Sequence, residues 1–398
     1  MKTYVYITPY FPNPKWHSGI FCYDFVRAIK GYDRVVVFMP GGNENNDYEF
    51  RGVHVYRFPT RSFPSNALAF VHDNYNRRSF LQALLRANVN PSDVAVAHAN
   101  VASYGIFPLA IKRINPRCKT VLHHHDLRSF GFSLGRLRHF WLHKVISYFY
   151  YRNIHEQIDL HVFVSSAAKR SFLSFPDTSW SKYDDYKKLG RGLGWLRPVT
   201  IKDSIVVHNG VDPSVFNSDG GRKSARDRFK VGMVGNLIDV KNHIQLIKAV
   251  EILKNRIPSI ELEMLGTDGF GTCYSDCCKY IEERNLGSYV RFLPNADRDR
   301  LPEFYRSLDL FVLPSFFEGF GCVLVESYAC GTPFISAAGQ GIDDLLDEDG
   351  RRKWTFIAND VASLIDRICW YYEHREHQCL IGDIHIEKIM SAYLAKLR

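Results

Sequence analysis

The sequence predicts an α/β protein made of two doubly wound domains, and three observations carry that prediction. Short apolar runs alternate with longer amphipathic stretches along almost the whole chain, the pattern of parallel strands covered on both faces by helices. The alternation occurs twice, once in each half. The length, 398 residues, suits two domains of roughly 100–200 residues each.

In the first half, residues 5–8 read as a strand, followed by a Pro/Gly loop and a helical stretch at 23–29. Residues 35–39, 94–97, 120–123 and 161–165 are further apolar strands, with helical periodicity at 79–87 and 104–114. Residues 175–203, rich in Lys, Gly, Trp and Asp, show no periodicity and read as a mobile loop or linker. The second half repeats the theme with strands at 231–234, 261–265, 290–293, 310–314 and 333–336. Helices are expected near 244–255, 276–284, 302–307 and 323–330. The segment at 206–216, VVHNGVDPSVF, reads as a strand and a tight Asn-Gly turn that opens the second domain. The predicted domains are thus 1–200 and 201–375, with a last helix near 383–398. In open α/β sheets ligands bind at the carboxyl ends of the strands, so two such sheets facing each other imply a ligand in the cleft between them.

Composition narrows the function. With 46% hydrophobic and 23% charged residues the chain is globular, not disordered or fibrous. No run approaches the ~18 apolar residues of a spanning helix, and the start, MKTYVYITPYFPNP, lacks the features of a signal peptide. Nine scattered cysteines suggest reduced thiols, which points to the cytoplasm. The net charge of +9 is uneven. Residues 1–200 hold 27 Lys+Arg against 13 Asp+Glu, a net of +14, and the rest carries −5. A basic domain beside a mildly acidic one suggests different partners for each.

The most informative stretch is 311–341, FVLPSFFEGFGCVLVESYACGTPFISAAGQG. A strand ends, a loop carries Glu318-Gly319-Phe320-Gly321, and a helix begins near Cys322 with Glu326 in its first turns. Glycines allow close backbone approach to a ligand, and the helix amino terminus offers N–H groups to an anion. Carboxylates beside an anion site make sense where they accept hydrogen bonds from sugar hydroxyls. The pattern therefore reads as a site for a phosphorylated sugar. A second stretch, VGMVGNLIDVKN at 231–242, places Lys241 in a loop after a strand, where its ammonium suits phosphate as a point charge.

In order, HNGVD, VGNLIDVKN and EGFGCVLVESYACGTP resemble the nucleotide-sugar half of retaining glycosyltransferases of the GT-B fold, family 4 (glycosyl transferases group 1). In the first half, SGIFCYDFVRAIK resembles the family's glycine loop, with Gly19, and its first helix, and VLHHHD its strand ending in His-Asp. The resemblance implies two Rossmann-like domains. The first, joined by the last helix, receives the acceptor, and the second binds the nucleotide sugar. It implies that Glu326 holds the donor ribose and Glu318 contacts the donor sugar. The backbone around Phe320, Gly321, Cys322 and Val323 would hold sugar hydroxyls or phosphate, and Lys241 would face the diphosphate. The family's arginine is replaced by Asn236, so donor affinity rests on Lys241, Gly19 and a further cation. His125, ahead of His124 and His123, is the candidate near the anomeric carbon.

The implied reaction passes a sugar from a nucleoside-diphosphate donor, UDP before GDP, to a hydroxyl of a glycan or lipid-linked acceptor in polysaccharide or glycoconjugate synthesis. No metal is implied, because Lys241 and helix N–H groups replace Mg²⁺. The base would be read by backbone near 293–295.

Other features have competing readings. His123, His124, His125 and Asp126 contain good metal ligands, so a metal-dependent hydrolase is one rival. A non-catalytic sugar-nucleotide-binding module is another. Cys273, Cys277 and Cys278 read as thiols of one helix and its loop, not a zinc site. At 128–155, basic and aromatic residues interleave, as in an amphipathic helix or at an anionic membrane surface. The second reading would put the protein peripherally on the inner face of the cell membrane. No nucleic-acid recognition module is visible.

Overall fold

A computed structural model describes residues 2–13, 19–41, 46–61, 70–126, 141–181, 184–221, 227–267, 271–294 and 298–397. The chain forms two units, Met1–His208 with Ile386–Arg398, and Asn209–His385.

The first unit is built on an eight-stranded sheet: β1 (Thr3–Ile7), β2 (Arg34–Pro40), β3 (Tyr48–Phe50), β4 (Val53–Phe58), β5 (Val94–Ala99), β6 (Lys119–His124), β7 (Leu160–Phe163) and β8 (Ser204–Val206). Their order is β3-β4-β2-β1-β5-β6-β7-β8, and only β3 and β4 pair antiparallel. Its helices are α1 (Ile20–Arg27), α2 (Asp73–Arg86), α3 (Ile106–Ile114), α4 (Trp141–Gln157), α5 (Ser166–Ser174) and α6 (Asp184–Gly190). Every residue of β1 is buried, as a central strand covered on both faces requires.

The β3–β4 hairpin had no Asn-Gly signal. Its two turn residues, Arg51 and Gly52, both take positive φ, 46° and 82°, the conformation that the tight hairpin turn demands.

Residues 175–203 are not a linker. Leu189, Leu193, Leu196 and Val199 are buried, and the segment packs on α4. There Trp141 Nε1 donates to the Gly192 carbonyl at 3.0 Å and Lys144 Nζ to that of Arg191 at 3.1 Å. Nor does a strand open the second domain: β8 pairs with β7 and closes the first sheet. The division consequently falls after His208 and not after residue 200.

The second unit has a six-stranded parallel sheet: β9 (Phe229–Val234), β10 (Ile260–Gly266), β11 (Val290–Pro294), β12 (Leu310–Leu313), β13 (Phe334–Ala337) and β14 (Thr355–Phe356). The order is β11-β10-β9-β12-β13-β14. Its helices are α7 (His243–Leu253), α8 (Cys273–Glu283), α9 (Leu301–Ser307), α10 (Cys322–Ala329), α11 (Glu348–Trp354) and α12 (Val361–His374).

The chain then returns to the first unit through α13 (Ile386–Leu397). Ile386, Met390, Tyr393 and Leu397 join the core around β1 and α1. The Tyr393 hydroxyl lies 2.5 Å from that of Tyr4 and 3.1 Å from His98 Nδ1. Among the described residues no helix is long and apolar enough to cross a membrane.

Candidate active site

In the second unit the site is built where β12 hands over to α10. All four residues of β12 are buried, which fixes the strand end from which the Glu318 loop departs. Helix α10 starts at Cys322, directly after Gly321 at φ 88°, a conformation L-residues other than glycine rarely take.

Glu318 is held from three sides. Its backbone N–H donates to Gln340 Oε1 at 2.6 Å, and its Oε1 accepts from Ser315 Oγ at 2.8 Å and from Lys241 Nζ. Lys241 arrives from the 3-10 turn Asp239–Lys241 that follows β9. Its stem lies over Gly235, where an added Cβ would meet Lys241 Cγ and Cδ at 3.6 Å. Two residues 77 positions apart, singled out separately in the sequence, thus form one ion pair.

Glu326 is 3% exposed. Its Oε1 accepts from Arg298 Nη2 at 2.8 Å and its Oε2 from the Tyr305 hydroxyl at 2.9 Å. Burial, together with the neighbouring carboxylate, raises the Tyr305 phenol well above its ordinary range, so it donates as O–H. Arg298 and Tyr305 escaped the sequence reading. The only signal was the basic RDR run ahead of α9, which looks like an ordinary solvated turn.

Between the two carboxylates lies Cys322. Its thiol, 3.4 Å from Asn209 Nδ2, is pushed up to about 12 by burial and stays protonated. Phe320 is buried under the same loop, Val323 continues the first turn of α10, and the Asn236 side chain is exposed after β9. Two cations and two carboxylates thereby balance around one helix amino terminus.

In the first unit, Gly19 and His125 belong to one neighbourhood. Gly19 precedes α1 at φ 84°, and a Cβ there would sit 2.7 Å from the Tyr10 carbonyl carbon. The Tyr10 carbonyl accepts from Thr8 Oγ1 at 2.9 Å. That spends the Thr8 proton, so Thr8 Oγ1 accepts from Asn100 Nδ2 at 3.3 Å. Asn100 Oδ1 then faces His125 Nε2 at 2.5 Å, which makes Nε2 the protonated nitrogen of His125. Burial holds His125 down at about 3, so the ring is neutral.

The three consecutive histidines divide by strand alternation. His123 and His125 share a face, ring centroids 4.0 Å apart. His124 turns to the other face, where its Nε2 lies 2.9 Å from His161 Nδ1. His161 Nε2 in turn donates to the His155 carbonyl at 3.0 Å. Among the described residues, His124, His155 and His161 are the one group whose ligand atoms all fall within 4.8 Å of one another. Burial holds the His161 ring down at about 4, and the cluster is walled by Phe163 and Phe172. His124 thus points away from His123 and His125, so the three consecutive histidines do not converge on one point.

All nine cysteines are free. Cys273 and Cys277 are buried on α8, with Cys273 Sγ 3.8 Å from His243 Nδ1. Of the basic and aromatic stretch, residues 127–140 lie outside the described residues, as does position 295 of the expected base-reading segment. The rest forms α4, with Tyr148 and Tyr151 buried and Trp141, Leu142, Ile146 and Phe149 exposed. Trp195, 61% exposed, lies beside Trp141 with ring centroids 6.2 Å apart.

Comparison with solved structures places both units in a known architecture. HepE of Anabaena, in complex with UDP and glucose, superposes with a TM-score of 0.64 at 17% identity, covering 98% of this chain and 94% of that one. Sucrose-phosphate synthase of Thermosynechococcus elongatus gives 0.67 at 16% identity, covering 100% and 95%. The fold is GT-B, two Rossmann-like domains in one chain.

Residues 218–382 match the family model "Glycosyl transferases group 1". D-inositol 3-phosphate glycosyltransferase of Mycolicibacterium smegmatis is 36% identical over 142 residues, 34% of this chain and 32% of that protein. The protein of the same name from Paenarthrobacter aurescens is 35% identical over 150 residues, 36% of each chain. The chain spans about a third of the length of the curated relatives it matches.

Proposed function

We propose that the protein is a retaining glycosyltransferase that moves a sugar from a nucleoside-diphosphate donor to a hydroxyl of a glycan or lipid-linked acceptor. The observation that carries this reading is the doubly paired site around α10. Lys241 pairs with Glu318 and Arg298 with Glu326. A nucleotide sugar brings both complements at once: anionic oxygens for the cation and hydroxyl donors for the carboxylates. UDP is the favoured base, consistent with HepE, whose structures are described with UDP and UDP-glucose.

In this reading Glu326 takes the ribose, Glu318 the sugar, and Lys241 with the first turn of α10 the diphosphate, with no metal required. The bond from the anomeric carbon to the diphosphate oxygen breaks as the bond to the acceptor oxygen forms on the same face. The acceptor proton passes to the departing phosphate oxygen, so no separate base is needed. The second unit is the donor domain and the first, which carries neutral His125, the acceptor domain.

The positive first half and the exposed Trp141, Leu142, Ile146, Phe149 and Trp195 suit an acceptor at an anionic membrane surface. We place the protein in the cytoplasm, peripherally on the inner face of the membrane, in polysaccharide or glycoconjugate synthesis.

The test is thermal unfolding against UDP, GDP, ADP and their sugars, with and without EDTA. A ligand at about a hundred times its dissociation constant adds ~2.7 kcal/mol, a rise of several degrees. A rise with uridine nucleotides that EDTA leaves unchanged, together with turnover of one UDP-sugar, is the expected result. Indifference to every nucleotide would refute the proposal, and binding without turnover or donor hydrolysis would reduce it to a binding module.

A further inference from the structure

The ribose assignment of Glu326 meets a physical difficulty that points to a second residue. The Glu326 carboxylate is almost wholly enclosed, its side chain 4% exposed, while the Arg298 side chain paired with it is 29% exposed. Arg298 thus stands on the solvent side of the pair. Its guanidinium also lies 5.6 Å from the centre of the Phe216 ring, a contact that orients it. On the inner side, the buried Tyr305 hydroxyl holds Oε2. Each carboxylate oxygen has two lone pairs, of which Arg298 and Tyr305 use one each. One lone pair per oxygen is left, on neighbouring atoms, the arrangement that a vicinal diol satisfies with two O–H donors.

Resting on the nucleotide-sugar reading above, we infer that Arg298 is a positioning residue for the donor ribose. It keeps Glu326 aimed, so that the carboxylate recognises the 2′- and 3′-hydroxyls together. An enclosed carboxylate that loses its cation partner would turn toward another donor, and that change removes the bidentate acceptor. Arg298 does not take the place of the missing arginine at Asn236. Its charge is committed to Glu326, and the diphosphate is left to Lys241.

The inference is tested by comparing UDP with 2′-deoxyuridine diphosphate in calorimetric titrations of the wild type, Arg298→Gln, Arg298→Lys and Lys241→Ala. The wild type is expected to prefer UDP by about tenfold or more, the worth of a hydrogen bond to a charged acceptor. Arg298→Gln should bring that ratio close to one, and Arg298→Lys should restore part of it. Lys241→Ala should weaken both ligands and keep the ratio. Circular dichroism establishes that each variant is folded, and Arg298→Lys supplies the comparison if Arg298→Gln is not. A folded Arg298→Gln with the full wild-type ratio overturns the inference while leaving the donor reading in place. The same holds for a wild type that binds both nucleotides equally. A wild type that binds neither overturns the donor reading, and this inference with it.

Discussion

In the proposed donor site, Asn236 is the position where a single side chain would change the charge. The Lys241 ammonium and the Arg298 guanidinium each face a carboxylate, so these two pairs bring no surplus positive charge to a diphosphate. Asn236 sits exposed on the loop after β9, and its amide supplies hydrogen bonds but no charge. Asn236→Arg should therefore raise affinity for UDP several-fold, on the scale of about 1 kcal/mol for one added charge-assisted contact. It should also steepen the fall of affinity with salt. Calorimetric titration at two ionic strengths checks both, and unchanged affinity would place the diphosphate elsewhere. The residues that stood out in the sequence were those whose chemistry is odd for their position, such as a glutamate between glycines or a lysine after a glycine turn. Arg298, Tyr305, Gln340 and Asn100 did not stand out. Their roles arise from contacts across 21 to 28 positions within the second unit and 25 in the first, and a charged or polar residue in a turn or at a strand end is ordinary until its partner is known.

The elements themselves were legible to the extent that their pattern was periodic. Buried strands such as β1, β9 and β12 read directly, because parallel strands covered on both faces are continuous apolar runs. The hairpin β3–β4 carries no turn signal in the sequence, because Arg51 stands where Asn is usual. Residues 175–203 show no periodicity because buried Leu189, Leu193 and Leu196 are diluted by Lys, Gly and Trp. Helix α1 shows how one position can govern an element. Gly19 combines φ 84° with backbone contact that leaves no room for a Cβ. Gly19→Ala incurs the left-handed penalty of about 1–2 kcal/mol, and it also displaces the Tyr10 carbonyl that starts the hydrogen-bond chain through Thr8 and Asn100 to His125. The expected outcome is a folded protein with lowered melting temperature and a turnover loss larger than the stability loss explains. Wild-type turnover in Gly19→Ala would detach the loop from the site.

At the scale of the molecule, the charge asymmetry between the halves was visible in the sequence, but the distribution of buried histidines was not. His98, His123, His125 and His161 lie in the first unit and His243 in the second, all with pKa values lowered mainly by burial, to about 3 for His125 and about 4 for His161 and His243. Above the ordinary histidine value of about 6.5 these groups are neutral folded or unfolded, and they add no pH dependence. Below it the unfolded chain takes up protons that the folded one refuses. Stability is then lost at up to about 1.4 kcal/mol per pH unit for each group, until the pH reaches the lowered native values. Four such groups against one predict that acid unfolds the first unit before the second. Hydrogen exchange at pH 7.5 and 5.5 should show protection collapsing in β1, β5 and β6 while β9 and β12 keep most of theirs. Uniform loss across both sheets, or none in the first, would contradict the ordering. His98→Phe should soften the acid sensitivity of the first unit. Its Nδ1 hydrogen bond to the Tyr4 hydroxyl is lost in exchange, so this variant should be less stable at pH 7.5 and lose less on moving to pH 5.5.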